Sequence, residues 1–184
     1  LGVVYCEAEV RARGRVVSIL PAENEGDLRR AITENGPSTV QSSFLFSKQA
    51  LLTVGGFDET LHSSIDHDIW LALAAHRFAA KTVSEPLVIS YNEFNDSMMT
   101  NTSSRIIGIH QFVDKWRPTY HEWFGPEDGE RRLERYFARV VGRLAATNVV
   151  TGQWRDAAEA VREIYDMSDY TRYNTRVLIY LLGE

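Results

Sequence analysis

The sequence has one cysteine, no long apolar run and no excess of positive charge. A single cysteine, Cys6, excludes a disulfide within the chain and favours a reducing compartment. The longest apolar run, residues 177–182, is far too short to cross a bilayer, and no secretory leader is visible. The net charge of −5 argues against nucleic acid as a partner. We therefore expect a soluble, cytoplasmic protein that does not span a membrane.

The first part of the chain alternates short strand and helix patterns, which predicts an α/β fold over residues 1–101. Two strands are expected at 2–10 and 16–20, joined by a turn at Arg13-Gly14-Arg15. Ser47 and Gly55-Gly56 have the residue types that begin and end a helix over 48–54. The other expected elements are a helix over 28–33, a strand over 39–46, a helix over 66–77, and two strands at 80–83 and 87–90.

The second part, residues 102–184, has helical periodicity throughout. A first helix is expected to stop at Pro118, and a second carries an apolar stripe from Leu133 to Ala145. Gly152 interrupts that stripe, which resumes from Trp154 to Tyr165, and a last helix is expected over 173–181. The pair of helices around Gly152 resembles one tetratricopeptide-type hairpin, and such repeats need about three units to stand alone. We therefore expect a helical extension of the α/β part.

Two carboxylates, Asp66 and Asp68, fall at the expected start of a helix whose apolar residues are Ile69, Trp70 and Leu73. Free N–H groups and the helix dipole stabilise an ionised carboxylate at this position. One interpretation is that these residues only cap the helix. The other is that Asp66 is a general base that takes a proton from an acceptor hydroxyl.

Other polar residues near this helix are weaker candidates. Asp58 and Glu59 could hydrogen-bond an acceptor, or could be solvated loop residues. Ser42 and Ser43 could line a sugar pocket, or could simply alternate with core residues. His62 and His67 are five residues apart, which does not place two ligands on one helix face, so we predict no metal site in this chain.

Two motifs together resemble the acceptor-side half of the family 2, GT-A type glycosyltransferases. In that family a Gly-Gly-Phe-Asp-Glu turn precedes a Glu-Asp-x-Asp acid motif and a Leu/Ile-Trp-Leu helix. Here the turn is residues 55–59 and the acid motif with its helix is Asp66-His67-Asp68-Ile69-Trp70-Leu71, with Ile65 in place of the first acid. Downstream, residues 84–91 resemble the family's Glu-Pro-Leu strand. Asn92 and Phe94 replace the Arg and His of the Tyr-Arg-x-His-x-x-Ser segment that often follows.

The resemblance implies an inverting transfer of a sugar from a nucleotide-sugar donor to a hydroxyl acceptor, as in glycan biosynthesis. Within the family pattern the base maps onto Asp66; the candidates in this chain to contact the acceptor remain Asp58, Glu59, Ser42, Ser43 and His67. The intact enzyme would use Mg²⁺ or Mn²⁺ held by an Asp-x-Asp at a strand end, which we expect upstream of Leu1. The present chain alone should then be inactive.

A second hypothesis is a non-catalytic binding or assembly module that uses the helical hairpin. An exposed apolar face along Trp154, Ala158 and Tyr165 would favour it, and burial of that face would count against it.

Overall fold

A computed structural model describes residues 1–29, 40–91 and 101–167. The chain divides into two compact units. The first, which we call the sheet unit, is Leu1–Thr60 with Ile65–Asn95, and the second, the helical unit, is Leu61–Ser64 with Asp96–Glu184. The predicted mixed α/β class is confirmed.

The sheet unit contains a five-stranded sheet built around its first strand. β1 pairs in parallel with β5 and antiparallel with both β2 and β4, and β3 pairs antiparallel with β5. The path through the sheet is β2-β1-β5-β3, with β4 beside the start of β1. The strands are β1 (Val3–Ala12), β2 (Arg15–Leu20), β3 (Gly26–Asp27), β4 (Phe44–Phe46) and β5 (Ala79–Tyr91).

The turn between β1 and β2 confirms the predicted hairpin. Ala12 pairs with Arg15, so the loop has two residues. Arg13 and Gly14 both have positive φ angles, 50° and 75°, as in a type I′ turn, whose twist matches that of the strands it joins. A register shift between Val10 and Arg11 adds one residue to β2.

The prediction of two strands at 80–83 and 87–90 is wrong, because β5 is one continuous strand. Its parallel pairing with β1 continues on both sides of Pro86, and the register shifts next to that residue absorb the irregularity. A proline lacks the N–H that a regular ladder needs, and a bulge accommodates it without ending the strand.

A 3₁₀ helix, two α-helices and the first two residues of another helix, 28–29, complete the described part of the sheet unit. Helix α1 (Lys48–Val54) has the predicted ends: the Ser47 hydroxyl accepts a hydrogen bond from the Ala50 N–H, and Gly55 closes the helix with φ 90°. Helix α2 spans Ile65–Ala75. The predicted helix over 28–33 extends into residues outside the described part.

The strand predicted over 39–46 is wrong for Gln41–Ser43, which form the 3₁₀ helix, and only Phe44–Phe46 are a strand. The Ser43 hydroxyl donates to the Val40 carbonyl at 2.7 Å. A serine side chain that bonds its own backbone offers an alternative to a strand ladder, which explains the local turn.

The helical unit contains α3 (Thr102–Phe124), α4 (Pro126–Val150) and α5 (Trp154–Met167). The predicted stop at Pro118 is wrong, because α3 continues through it to Gly125. Trp116 and Tyr120, on either side of the proline, are both buried. Their burial offsets the cost of an interior proline, which is about 3 kcal/mol.

The core of the helical unit comes from all three helices. Gly152, with φ 76°, forms the predicted break between α4 and α5. The expected helix over 173–181 lies outside the described residues. The fully buried apolar residues include Ile109, Phe112 and Val113 from α3, Leu133, Phe137 and Val141 from α4, and Ala160 and Ile164 from α5.

Candidate active site

The glycine turn that ends α1 is followed by a loop fixed by its own side chains. Gly55 and Gly56 have φ angles of 90° and 78°, which side-chain-bearing residues rarely adopt. One carboxylate oxygen of Asp58 then accepts hydrogen bonds from the Thr60 backbone N–H at 3.0 Å and the Thr60 hydroxyl at 2.6 Å. Asp58 is half-buried and shapes this turn, whereas Glu59 is exposed. Of the two, Glu59 is the better placed to meet a ligand.

Asp66 lies in the first turn of α2 and is exposed. Its carboxylate accepts a hydrogen bond from the His67 backbone N–H at 3.0 Å. A solvent-accessible carboxylate can accept a proton or hydrogen-bond a hydroxyl. His67, next along the chain, is half-buried.

Asp68 differs from Asp66 because it is buried, with 2% of its surface exposed. Residues two apart on a helix do not face each other. The Asp66-His67-Asp68 sequence therefore does not present two carboxylates to one ion. Within residues 1–29, 40–91 and 101–167 no group of three or more His, Cys, Asp or Glu side chains could hold a metal.

An aromatic cluster fixes α2 and the glycine-turn loop to the same core. Trp70 of α2 is fully buried and makes edge-to-face contacts with Tyr5 and Phe44, at centroid distances of 5.1 and 5.0 Å. Phe44 contacts Phe46 at 5.8 Å, and Phe46 contacts Phe57, from the loop, at 5.9 Å. Each such aromatic pair stabilises the fold by about 0.5–1.5 kcal/mol more than the burial of its surface area alone would. The two halves of the predicted motif are therefore connected through β4.

Tyr5 anchors a second segment to this cluster. Its hydroxyl donates to the Asn24 carbonyl at 3.0 Å and accepts from the Asn24 N–H at 2.6 Å. Burial raises the pKa of Tyr5, with a further contribution from the nearby carboxylates of Glu23 and Glu25. The phenol therefore stays protonated at neutral pH and does not serve as a base. Sequence reasoning missed this role, since a tyrosine in a strand looks like any other core residue.

Of the two candidate serines, as of the two aspartates of α2, one is exposed and the other is buried. Ser42 is exposed, whereas Ser43 is buried and its hydroxyl is bound to the Val40 carbonyl. Ser43 is therefore a structural residue, and only Ser42 is accessible to a ligand.

His62 lies in the helical unit. Its backbone N–H and its Nδ1 are each 3.1 Å from Oε1 of Gln111. This pairing with α3 gives His62 a local structural role. Asn92 and Phe94, which depart from the family pattern, lie outside the described residues.

Comparisons with known proteins give no identification. No protein-family profile, no curated protein and no solved structure matches this sequence. In the part of the chain that the structure describes, no helix is long and apolar enough to cross a membrane.

Proposed function

We propose that this chain is the acceptor-side portion of an inverting, GT-A type glycosyltransferase in which Asp66 is the general base. The observation that carries the proposal is the contrast between the two aspartates of α2. Asp66 is exposed at the helix N-terminus, while Asp68 is buried and Trp70 is fixed in the aromatic cluster. A rigid helix that presents one carboxylate to solvent is the arrangement a positioned base requires.

The reaction would be a single displacement. The acceptor oxygen forms a bond to the anomeric carbon from one face, while the bond to the nucleoside diphosphate breaks on the other face and the leaving group keeps the electron pair. The acceptor proton goes to the Asp66 carboxylate. Glu59 and Ser42, both exposed, are the candidates to hydrogen-bond the acceptor. The residues that the structure describes do not form a metal site for Mg²⁺ or Mn²⁺.

Asp66→Asn in the natural gene product tests the assignment. The assay measures release of nucleoside diphosphate from a panel of nucleotide sugars, with Mg²⁺ or Mn²⁺ and with glycan acceptors present. We expect at least about a hundredfold loss of transfer, since general-base catalysis contributes 10²–10⁴-fold, and an unchanged far-UV CD spectrum.

Asp156→Asn is the matched control, because Asp156 also lies in the first turn of a helix, α5. Both substitutions remove a carboxylate that favours a helix N-terminus, at a similar cost in stability. Only Asp66→Asn should abolish transfer. Near-normal transfer by Asp66→Asn would overturn the proposal.

A second candidate function, a binding module, is favoured by the outer face of α5. Trp154 and Tyr165 are 67% and 49% exposed, and Ala158 lies exposed between them. Their spacing places them along one side of the helix. An apolar helix face of this kind fits an amphipathic helix of a partner.

Trp154→Glu tests this second function. A partner should bind the natural gene product and bind the variant at least about tenfold more weakly in a titration with the purified partner, as expected for an exposed aromatic anchor. Equal binding by the variant would exclude this face.

A further inference from the structure

The side of α4 that faces away from the core of the helical unit is strongly basic. Its buried residues Leu133, Phe137 and Val141 repeat on one side of the helix. The other side carries five arginines and no lysine: Arg131, Arg132, Arg135, Arg139 and Arg143. Arg135 and Arg143 are exposed, and the other three are half-buried. We call Arg135, Arg139 and Arg143 the arginine row.

Ion pairs balance only the N-terminal end of this basic side. Arg132 lies 2.8 Å from one carboxylate oxygen of Asp128, and Arg131 lies 3.5 Å from the other. Further along α4, neither Arg135 nor Arg143 forms an ion pair with another residue that the structure describes. The charge at the two exposed ends of the arginine row is therefore not balanced by a contact within the described part of the chain.

The spacing of the arginine row is unfavourable for the helix itself. Its members are four residues apart, and like charges at this spacing destabilise a helix. Within four residues of the row the only acidic residue is Glu134, which adjoins Arg135 and so does not face it. The helix dipole does not compensate, because it acts within the last turn and α4 continues beyond Arg143 to Val150. A feature that opposes the stability of its own helix indicates a site for an anion from outside the chain.

The geometry of the arginine row favours an extended anionic surface over a small anion. The row covers about 12 Å along the helix axis and about 80° around it, from the rise and period of an α-helix. A single small anion would reach one or two of the three side chains. Guanidinium groups match phosphate oxygens in a bidentate geometry. A surface that carries many phosphate groups can therefore contact the whole row at once.

Other extended anions fit this side of α4 less well. A protein partner usually needs apolar or aromatic anchors at the centre of its interface. All the residues of α4 are described, and before Val150 the helix has no exposed large apolar side chain. Nucleic acid is usually bound by a basic domain, whereas this chain has a net charge of −5. An anionic membrane needs no apolar anchor, and each arginine near its surface strengthens binding about fivefold.

We propose that the arginine row binds the phosphate groups of an anionic membrane surface, so that the chain adsorbs to such a membrane without spanning it. Binding that depends on a few charges is weak and reversible. The acidic residues elsewhere in the chain do not prevent it, because salt screens charges beyond about 10 Å. This inference does not depend on the proposed transferase activity.

Flotation of the 184-residue chain with lipid vesicles measures the binding. One set of vesicles is phosphatidylcholine alone, and the other contains about 30% phosphatidylglycerol, both in about 0.05 M NaCl. We expect binding to the second set only, with a bound fraction that rises with lipid concentration. Raising the salt to about 0.5 M should release the chain.

The double variant Arg135→Gln with Arg143→Gln tests the row. It should bind the anionic vesicles about 25-fold more weakly, at about fivefold for each arginine. Arg135→Lys with Arg143→Lys keeps the charge and should bind within about threefold of the original. Arg139 is left in place because its guanidinium lies over the ring of Tyr136, at 5.8 Å from the centroid.

Arg155→Gln with Arg162→Gln is the matched control. Both residues are exposed on α5, in the same unit, and the change in net charge is the same. This variant should bind the anionic vesicles as the original does. Equal weakening by the two glutamine variants would show that binding follows net charge alone, and would overturn the proposal.

Stability and alternative anions complete the test. Removal of Arg135 and Arg143 should leave the urea midpoint unchanged or higher, because glutamine is as good a helix former as arginine and the repulsion falls. A lower midpoint would show that the row serves the fold, and would remove the basis of the proposal. Absence of binding to anionic vesicles, or equal binding to neutral ones, overturns it. Binding of a single-stranded oligonucleotide or of polyglutamate through these two arginines, without binding to vesicles, would assign the row to another partner and also overturn it.

Discussion

A test of the packing in the helical unit is the substitution Gly108→Ala. Gly108 lies in α3, and a methyl group there would be 2.2 Å from the Ser63 backbone nitrogen and 2.8 Å from the His62 carbonyl carbon. Both of these are backbone atoms, so no side-chain rotation can relieve the overlap. The segment Leu61–Ser64 would have to move away from the helix.

The contacts of that segment set the size of the effect. Displacement exposes Leu61, now 7% exposed, and burial of a leucine is worth about 1.5–3 kcal/mol. It also breaks the His62–Gln111 contacts and the 3.0 Å hydrogen bond from the Tyr136 hydroxyl to Ser64, each worth about 0.5–1.5 kcal/mol. Replacing glycine by alanine inside a helix returns about 1 kcal/mol. Counting the His62–Gln111 contacts as one pair, we therefore expect a net loss of about 1.5–5 kcal/mol.

Urea unfolding followed by far-UV CD measures this loss. Ile107→Ala is the control, because Ile107 is the neighbouring residue of α3 and is 51% exposed. A double-mutant cycle adds a sharper test. Tyr136→Phe should cost about 1 kcal/mol in the natural background and less with Gly108→Ala, because the bond to Ser64 is already broken. A Gly108→Ala protein as stable as the original would refute this account of the packing.

Three further outcomes are expected. Burial raises the pKa of Tyr120 from 10.0 to about 12. Between pH 10 and pH 12 the tyrosine of the unfolded chain is deprotonated while that of the folded chain is still protonated. The free energy of unfolding should therefore fall by about 2–3 kcal/mol as the pH rises through this range. Tyr120→Phe should resist alkaline unfolding in a CD titration, and Tyr165→Phe, at an exposed site, should not. Asn148→Ala breaks the buried 2.8 Å bond to the Thr102 hydroxyl and should cost about 1–3 kcal/mol in urea unfolding, with little further loss on adding Thr102→Val. Ser47→Ala should lower stability by about 1 kcal/mol in the same assay, and Ser47→Asp should not.

Features with a local code could be predicted from the sequence. The Arg13-Gly14 turn, the Ser47 cap and the Gly152 break each depend on what a few adjacent residues can adopt. The three errors, at Pro86, Pro118 and residues 41–43, have a different origin. For the two prolines, strand pairing to β1 and burial of Trp116 and Tyr120 outweigh a local preference.

The candidate site illustrates a limit of periodicity. Helical periodicity identifies Ile69, Trp70 and Leu73 as the apolar stripe of α2, but it leaves open which of Asp66 and Asp68 caps the helix and which is accessible. In the structure Asp66 is exposed and Asp68 is buried. Nearly all residues of α2 from Asp68 to Ala74 are buried, whichever side of the helix they are on, whereas residues 65–67 are half-buried or exposed. The burial of a residue in α2 therefore depends on its position along the helix axis more than on the face of the helix that carries it. No sequence pattern encodes how deep a helix is inserted.

The assignment of Leu61–Ser64 to the helical unit has a consequence for how this protein can be divided. The chain passes between the two units three times, at residues 60–61, 64–65 and 95–96. A single cut therefore cannot release either unit intact. A fragment that begins at Thr102 would leave the α3 surface around Gly108 without the segment that covers it. Such an arrangement opposes recombination of the two parts as independent modules and favours their inheritance as one piece.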